Sequence, residues 1–102
     1  MIVDATLEHI KPEGKFPLGR LLATPGVLRA FTEAGENPLD YLLRHVIGDW
    51  GDVPPEDAKE NEFSLTRHLR LFSAYTLGNG VEIWVITEAD RSRTTTLLPS
   101  EY

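Results

Sequence analysis

The residues with the widest chemical reach lie in the last third of the chain. Glu88, Asp90, Arg91, Arg93 and the run Thr94-Thr95-Thr96 form its densest polar group, and His68 approaches the same region beside Arg67 and Arg70. Carboxylate, guanidinium and hydroxyl groups gathered at one end of a sheet can hold a phosphate or move protons. Taken as a catalytic set, the group assigns His68, Glu88, Arg91 and Thr95 to the reaction. Taken as structure, the same residues make a solvated turn with threonines selected for strand propensity. Both readings stand at this level.

Elsewhere the chemistry is sparse. The chain has no P-loop, no GxGxxG, no CxxC and no His-Glu-x-x-His helix, and it offers no metal set and calls for no cofactor. His9, His45 and His68 are not at ligand spacing, and His45 sits beside an apolar stripe, as a packed or surface histidine does. Asp49 and Asp52 flank Trp50-Gly51 but supply too few oxygens for a calcium loop, so a loop anchored by a buried Trp50 is the simpler expectation.

Composition narrows the classes further. At 102 residues the chain fits one domain, and 41% hydrophobic with 25% charged residues is ordinary for a globular protein. A formal net charge of −6 opposes a broad grip on a nucleic-acid backbone, although it allows a local basic patch. The absence of cysteine excludes disulfides and thiolate chemistry and leans toward a cytoplasmic setting. No apolar run has the length of a membrane span or signal segment.

The elements that must position these groups can be placed from local signals. Residues 1–14 carry Ile2, Val3, Leu7 and Ile10 in a pattern that suits either a short strand or a helical turn. Phe16 to Ala23 reads as an extended piece that can run along a sheet edge. Thr24-Pro25 and Asn37-Pro38 are helix starts with proline at the first position, predicting helices over 25–34 and 38–47. Gly35 and Gly48 close them. Pro54-Pro55 opens a third, mostly polar helix over 55–68, with Ala58, Leu65 and Leu69 as its inner edge.

Residues 70–98 read as a three-stranded antiparallel meander with strands 70–77, 81–89 and 94–98. Together with the helices they give an α+β fold in which a fourth edge strand is admissible. Asn79-Gly80 suits a two-residue type I′ turn, which places Tyr75 opposite Trp84 and Ser73 opposite Ile86. Asp90 to Arg93 suits a type I turn with Ala89 opposite Thr94. On that register one face carries Phe72, Ala74, Thr76, Val81, Ile83, Val85, Thr87, Thr94, Thr96 and Leu98, with no charge except Arg70 at its margin, and is the expected core. The other carries Leu71, Ser73, Tyr75, Trp84, Ile86 and Leu97 within a rim of Glu82, Glu88, Asp90 and Arg93, the make-up of a contact surface. Tyr75, Trp84, Asp90 and Arg93 are therefore the expected binding residues, and the expected occupant is a protein partner, most simply a second copy of the chain, in part beside the N-terminal segment.

The stretches GDWGDVPPEDAKENE and LFSAYTLGNGVEIWVITEADRSRTTTLLPSEY resemble an uncharacterised bacterial family found on plasmids and integrated mobile elements. The likeness runs from about Thr24 to Tyr102 and centres on Ile86 to Ser92, Thr94, Thr95 and Leu97 to Pro99. It implies no established activity; the acidic balance and the missing catalytic motifs make a small interaction or accessory protein of a mobile element the expected role. The order of helices followed by a meander is also similar to the barnase and RelE-like ribonuclease class, which implies RNA cleavage as the alternative.

Overall fold

Proline at the first position sets all three helices of the computed structural model, which describes residues 14–102. Helix α1 (Pro25–Ala34) starts where the Thr24 hydroxyl accepts from Val27 N–H, and it ends at Gly35 in the left-handed conformation. Helix α2 (Pro38–Val46) starts where Asn37 Oδ1 accepts from Leu39 N–H at 2.9 Å. Helix α3 (Pro55–Arg67) has no side-chain cap, but Glu56 and Asp57 in its first turn face the positive end of the helix dipole. Its buried residues are Asn61 and Ser64, with Ala58 and Leu65 partly covered, whereas Leu69, expected on its inner edge, is 46% exposed. The expectation for residues 1–13 lies outside the described residues.

Four strands form one sheet: β1 (Arg20–Ala23), β2 (Leu71–Thr76), β3 (Glu82–Thr87) and β4 (Arg93–Leu97), in the order β1-β4-β3-β2. The meander is antiparallel as expected, but the fourth strand makes the sheet mixed, because β1 runs parallel to β4. Helices α1 to α3 all fall between β1 and β2 in the chain, and one core cluster joins Val27 and Phe31 of α1, Leu42 and Val46 of α2 and Trp50 of the following loop to Leu71, Tyr75, Ile83 and Val85 of the sheet, with Ala58 and Leu65 of α3 packed against it. The outer edge of β2 is closed by other groups. Asn61 takes the Phe72 N–H at 3.0 Å and donates to the Phe72 carbonyl at 2.7 Å, as a neighbouring strand would, and Trp50 to Asp52 pair with Ala74.

The first hairpin corrects the expected register. Gly80 N–H bonds Leu77 O, Leu77 N–H bonds Val81 O, and Gly80 takes φ 89°, so the loop is Gly78-Asn79-Gly80 rather than the two residues Asn79-Gly80. Tyr75 stands opposite Ile83, and Ala74 opposite Trp84. A one-residue slip turns every side chain of a strand over. Leu71, Ser73 and Tyr75 therefore face the core, at 0–1% exposure, and Phe72 and Thr76 face outward. This register wins because it buries Leu71, Tyr75 and Leu77, where the alternative would bury Phe72, Ala74 and Thr76. The second hairpin pairs Glu88 with Arg93 around the loop 89–92, and Thr87 pairs with Thr94. The shift from the expected Ala89–Thr94 pairing is two residues, so the faces of β4 are retained.

Candidate binding face of the sheet

The outer face of the sheet can be read row by row from the ladders. At one end Arg20 pairs with Arg93, Arg93 O accepts from Glu88 N–H, and Arg70 and Glu88 stand one step beyond the Leu71–Thr87 pair. Arg20, Arg93, Glu88 and Arg70 thus cross all four strands in one outward-facing row. Two residues along, at about 6.8 Å, the next outward row is Leu22, Thr95, Ile86 and Phe72. Leu97, Trp84 and Ala74 form the third.

The C-terminal turn, Pro99–Glu101, folds over part of this face and carries Tyr102 with it. Glu101 holds the turn in place, because its carboxylate accepts from the Thr24 hydroxyl, Gly26 N–H and Leu98 N–H, and these bonds lower its pKa. The Tyr102 ring lies edge-on to Trp84 at 5.6 Å, and Trp84 lies edge-on to Phe72 at 5.1 Å. Arg70 donates to the Tyr102 hydroxyl at 3.0 Å with its guanidinium 5.7 Å from the ring centre. Beside this aromatic row are two shallow concavities of about 210 and 340 Å³, which share Arg70, Ile86 and Tyr102. Glu88 and Thr95 line the smaller, Phe72 and Trp84 the larger. Ile86 and Leu97 are buried even though they face outward, and they share a concavity with Glu101 and Tyr102 of the C-terminal turn.

The sequence-selected residues separate into two groups. Glu88, Thr95, Arg93 and Trp84 share the outer face. Tyr75 is in the core, where it donates to Asp49 O at 2.6 Å and burial raises its pKa; its expected place on the contact face followed from the slipped register. Asp90 accepts from Ser92 N–H at 3.0 Å and shapes the turn; bonds from Ser92 hold its carboxyl below the usual range. His68 ends α3 in the left-handed conformation at φ 55°. Arg91, also left-handed at φ 60°, turns its guanidinium inward and donates to the carbonyls of Leu69, Glu88, Ala89 and Ser64 at 2.7–3.1 Å. Burial lowers its pKa. His68, Glu88, Arg91 and Thr95 are not gathered around one point, since Arg91 is spent on backbone and Thr95 faces the open side.

A second polar group lies wholly inside. His45, at 0% exposure, has Nδ1 2.6 Å from the Ser73 hydroxyl and Nε2 2.9 Å from the Thr87 hydroxyl. Thr87 is 2.7 Å from Thr94, whose hydroxyl donates to Leu18 O. Because Thr94 gives its proton to a carbonyl, it must accept from Thr87; Thr87 must then accept from His45, which fixes the proton on Nε2 and leaves Nδ1 to accept from Ser73. Burial, with the Arg91 charge adding to it, lowers the His45 pKa to about 3. A neutral histidine with both nitrogens engaged and no solvent access keys the core; it has no reach to a substrate.

Another concavity, of about 290 Å³, lies between β1 and helices α1 and α2, lined by Leu21, Leu28, Leu39, Leu42 and neighbours without a titratable group. Among the described residues no group of three or more histidines and carboxylates is placed to hold a metal, and no helix is long and apolar enough to cross a membrane.

Sequence reasoning missed Arg20, Arg70, Phe72 and Tyr102 as members of the outer face. Phe72 was hidden by the hairpin slip, and Arg20 by the parallel pairing of β1, which no local signal encodes. Tyr102 had no signal, since its place depends on the turn that Glu101 holds. No protein-family model matches the chain, and no curated protein or solved structure matches it significantly.

Proposed function

We propose that this chain is a small binding module, not a catalyst, and that it works through the outer face of its sheet. The observation that supports this is the division of labour among its polar groups. Those inside the fold are saturated by internal partners, with no buried side-chain nitrogen or oxygen lacking one among the described residues. The aromatic row Phe72, Trp84 and Tyr102 and the charges around it remain open on the one sheet face the helices do not cover. The reading is in keeping with the expected role of a small cytoplasmic interaction or accessory protein of a bacterial mobile element.

The test combines turnover with contact mapping. Purified chain is incubated with structured and single-stranded RNA, and its expression is scored for growth inhibition. In parallel, a photocrosslinking residue is placed at Thr95 or, as a control on the helical side, at Leu43, which is 39% exposed. Expected are no cleavage and adducts from position 95 alone. Cleavage that Glu88→Gln or Thr95→Val abolishes in a folded chain would overturn the proposal in favour of the ribonuclease reading. A second copy as the crosslinked species would identify the module as a homodimer.

A further inference from the structure

Resting on that reading, we infer that the ligand of the outer face is a single-stranded nucleic acid, its phosphates on the row Arg20, Arg93 and Arg70 and its bases against Trp84, Phe72 and Tyr102. Arg20 and Arg93 are adjacent in register, with strands about 4.8 Å apart, and both are exposed. Like charges directly opposite on one face repel; the Asp90 carboxyl, held below the usual range by bonds from Ser92 and to a lesser degree by the Arg93 charge, offsets only part of this and does not pair with Arg93. Among the described residues neither makes a side-chain hydrogen bond, and the sole ion pair is Arg44 with Asp49, far along the chain. Glu88, between Arg93 and Arg70, is not within salt-bridge distance of either. Guanidinium groups left open in this way match the planar, bidentate demand of phosphate oxygens.

The aromatic row makes the anion specific. A simple polyanion needs only the arginines, whereas a nucleic-acid strand presents charge and π-faces side by side, as this face does. Phe72 lies two residues from Arg70 along β2, about 6.8 Å, and Tyr102 joins Arg70 to Trp84. The concavities flanking Tyr102 have room for a flat ring. A duplex would bury its bases away from these rings, so an unpaired strand is the form that uses both parts of the surface.

The net charge of −6 does not preclude this, because most of the carboxylates of the described residues lie off the arginine row. Glu33 is on α1, Asp40 on α2 and Glu56, Asp57, Glu60 and Glu62 on α3, while Glu36, between α1 and α2, accepts from Gly78 N–H at the opposite hairpin. On the outer face Glu101 is occupied in capping, Glu82, at the far end of β3, accepts from Trp84 Nε1–H, and Glu88 stands within the arginine row, where three guanidinium groups outnumber it. The acidic layer would orient a strand toward the arginine end and repel it elsewhere.

The test uses fluorescein-labelled 12-nucleotide uridine RNA, the thymidine DNA equivalent, a hairpin duplex and polyglutamate, titrated with full-length chain at 50–200 mM salt. Both single strands, or one of them, should bind more tightly than duplex and polyglutamate, and the better one identifies the source of the strand. Arg20→Ala, Arg93→Ala and Arg70→Ala should each flatten the slope of log K against log salt by about 0.7. Trp84→Ala should weaken binding at least about fivefold with the slope unchanged, and Leu43→Ala should change neither. Circular dichroism confirms that each variant is folded. Equal affinity for polyglutamate, preference for duplex, slopes indifferent to the arginines, or no binding would overturn the inference. Selective crosslinking from position 95 to a protein would then leave the binding module standing with a different partner, and loss of that crosslinking would remove both.

Discussion

His45 Nε2 stands 2.9 Å from the Thr87 hydroxyl in the interior between α2 and the sheet, and the proton on that nitrogen is dictated by the hydroxyl chain ending at Leu18 O. The arrangement ties the second helix to three strands' worth of core through one neutral ring, and it makes the stability of the fold depend on pH.

The native pKa of His45, about 3, is far below its ordinary 6.5, so between those values the unfolded chain binds a proton that the folded chain does not. Stability is therefore full above pH 6.5 and falls as pH drops, by about 1.4 kcal/mol per unit. Carboxylates with lowered values, such as Asp49 beside Arg44, add to the loss only below about pH 4.5. Urea unfolding at pH 7 and pH 5 should show a loss of about 2 kcal/mol in the native chain. His45→Gln, less stable at both, should show little of it. An equal pH dependence in the two would refute the assignment.

Arg91 is expected to be an anchor. Its guanidinium ties the carbonyls of Ser64 and Leu69, at the end of α3, to those of Glu88 and Ala89 in the second hairpin; Ser64 O and Glu88 O keep backbone partners, so Arg91→Ala strands the part-buried Leu69 and Ala89 carbonyls and should cost about 2 kcal/mol. Its φ of 60° is one that alanine adopts with strain. Arg91→Gly, relieved of that strain, should be more stable than Arg91→Ala by about 1 kcal/mol. Denaturant midpoints of the two variants decide the order; a folded Arg91→Ala chain of native stability would sink the assignment.

Much of the fold was legible because its signals are local. Thr24-Pro25, Asn37-Pro38 and Pro54-Pro55 mark the helix starts through capping and a missing N–H, which need no tertiary context. The faces of β2 were not legible, because Gly78-Asn79-Gly80 supports a two- or a three-residue loop at similar local cost and only the burial of Leu71 and Tyr75 chooses between them. The candidate face inherited that ambiguity: Trp84, Glu88, Thr95 and Arg93 were recognisable from β3 and β4, but Phe72 and Tyr75 exchanged places. The roles of Asn61 and His45 depend on contacts 11 to 42 residues away and leave no trace in a spacing pattern.

Two glycines with similar φ should respond differently to a methyl group. At Gly51, φ 76°, an added Cβ would sit 2.1 Å from Ala74 O, inside the bridge that closes the β2 edge. At Gly35, φ 68°, it would meet nothing within 4 Å. Gly35→Ala should therefore cost about 1 kcal/mol from backbone strain alone. Gly51→Ala should cost at least twice that and should speed hydrogen exchange at Asp52 and Ala74, whose N–H groups bond across the bridge. Equal costs would mean that the bridge contributes nothing beyond its left-handed turn.

The outer face should prove separable from the fold. Tyr102 is 70% exposed, so Tyr102→Ala removes little buried area and should cost under about 1 kcal/mol. Trp84 is half-buried, and its ring contacts Phe72 as well as Tyr102, so Trp84→Ala should cost about 1–2 kcal/mol. The two changes share one edge-on contact at 5.6 Å, and in a double-mutant cycle they should couple by about 0.5 kcal/mol, the low end for an aromatic pair because solvent reaches it. Arg70→Ala should couple to Tyr102→Ala to a similar degree through the 3.0 Å bond to the hydroxyl, and Tyr102→Phe should remove most of that second coupling while preserving the first. Unfolding measurements on the cycle are the check. If Tyr102→Ala unfolds the chain, or if the coupling to Trp84 vanishes, the C-terminal residue is not a lid resting on a preformed surface, and the stability of the face and its availability to a ligand cannot be varied independently.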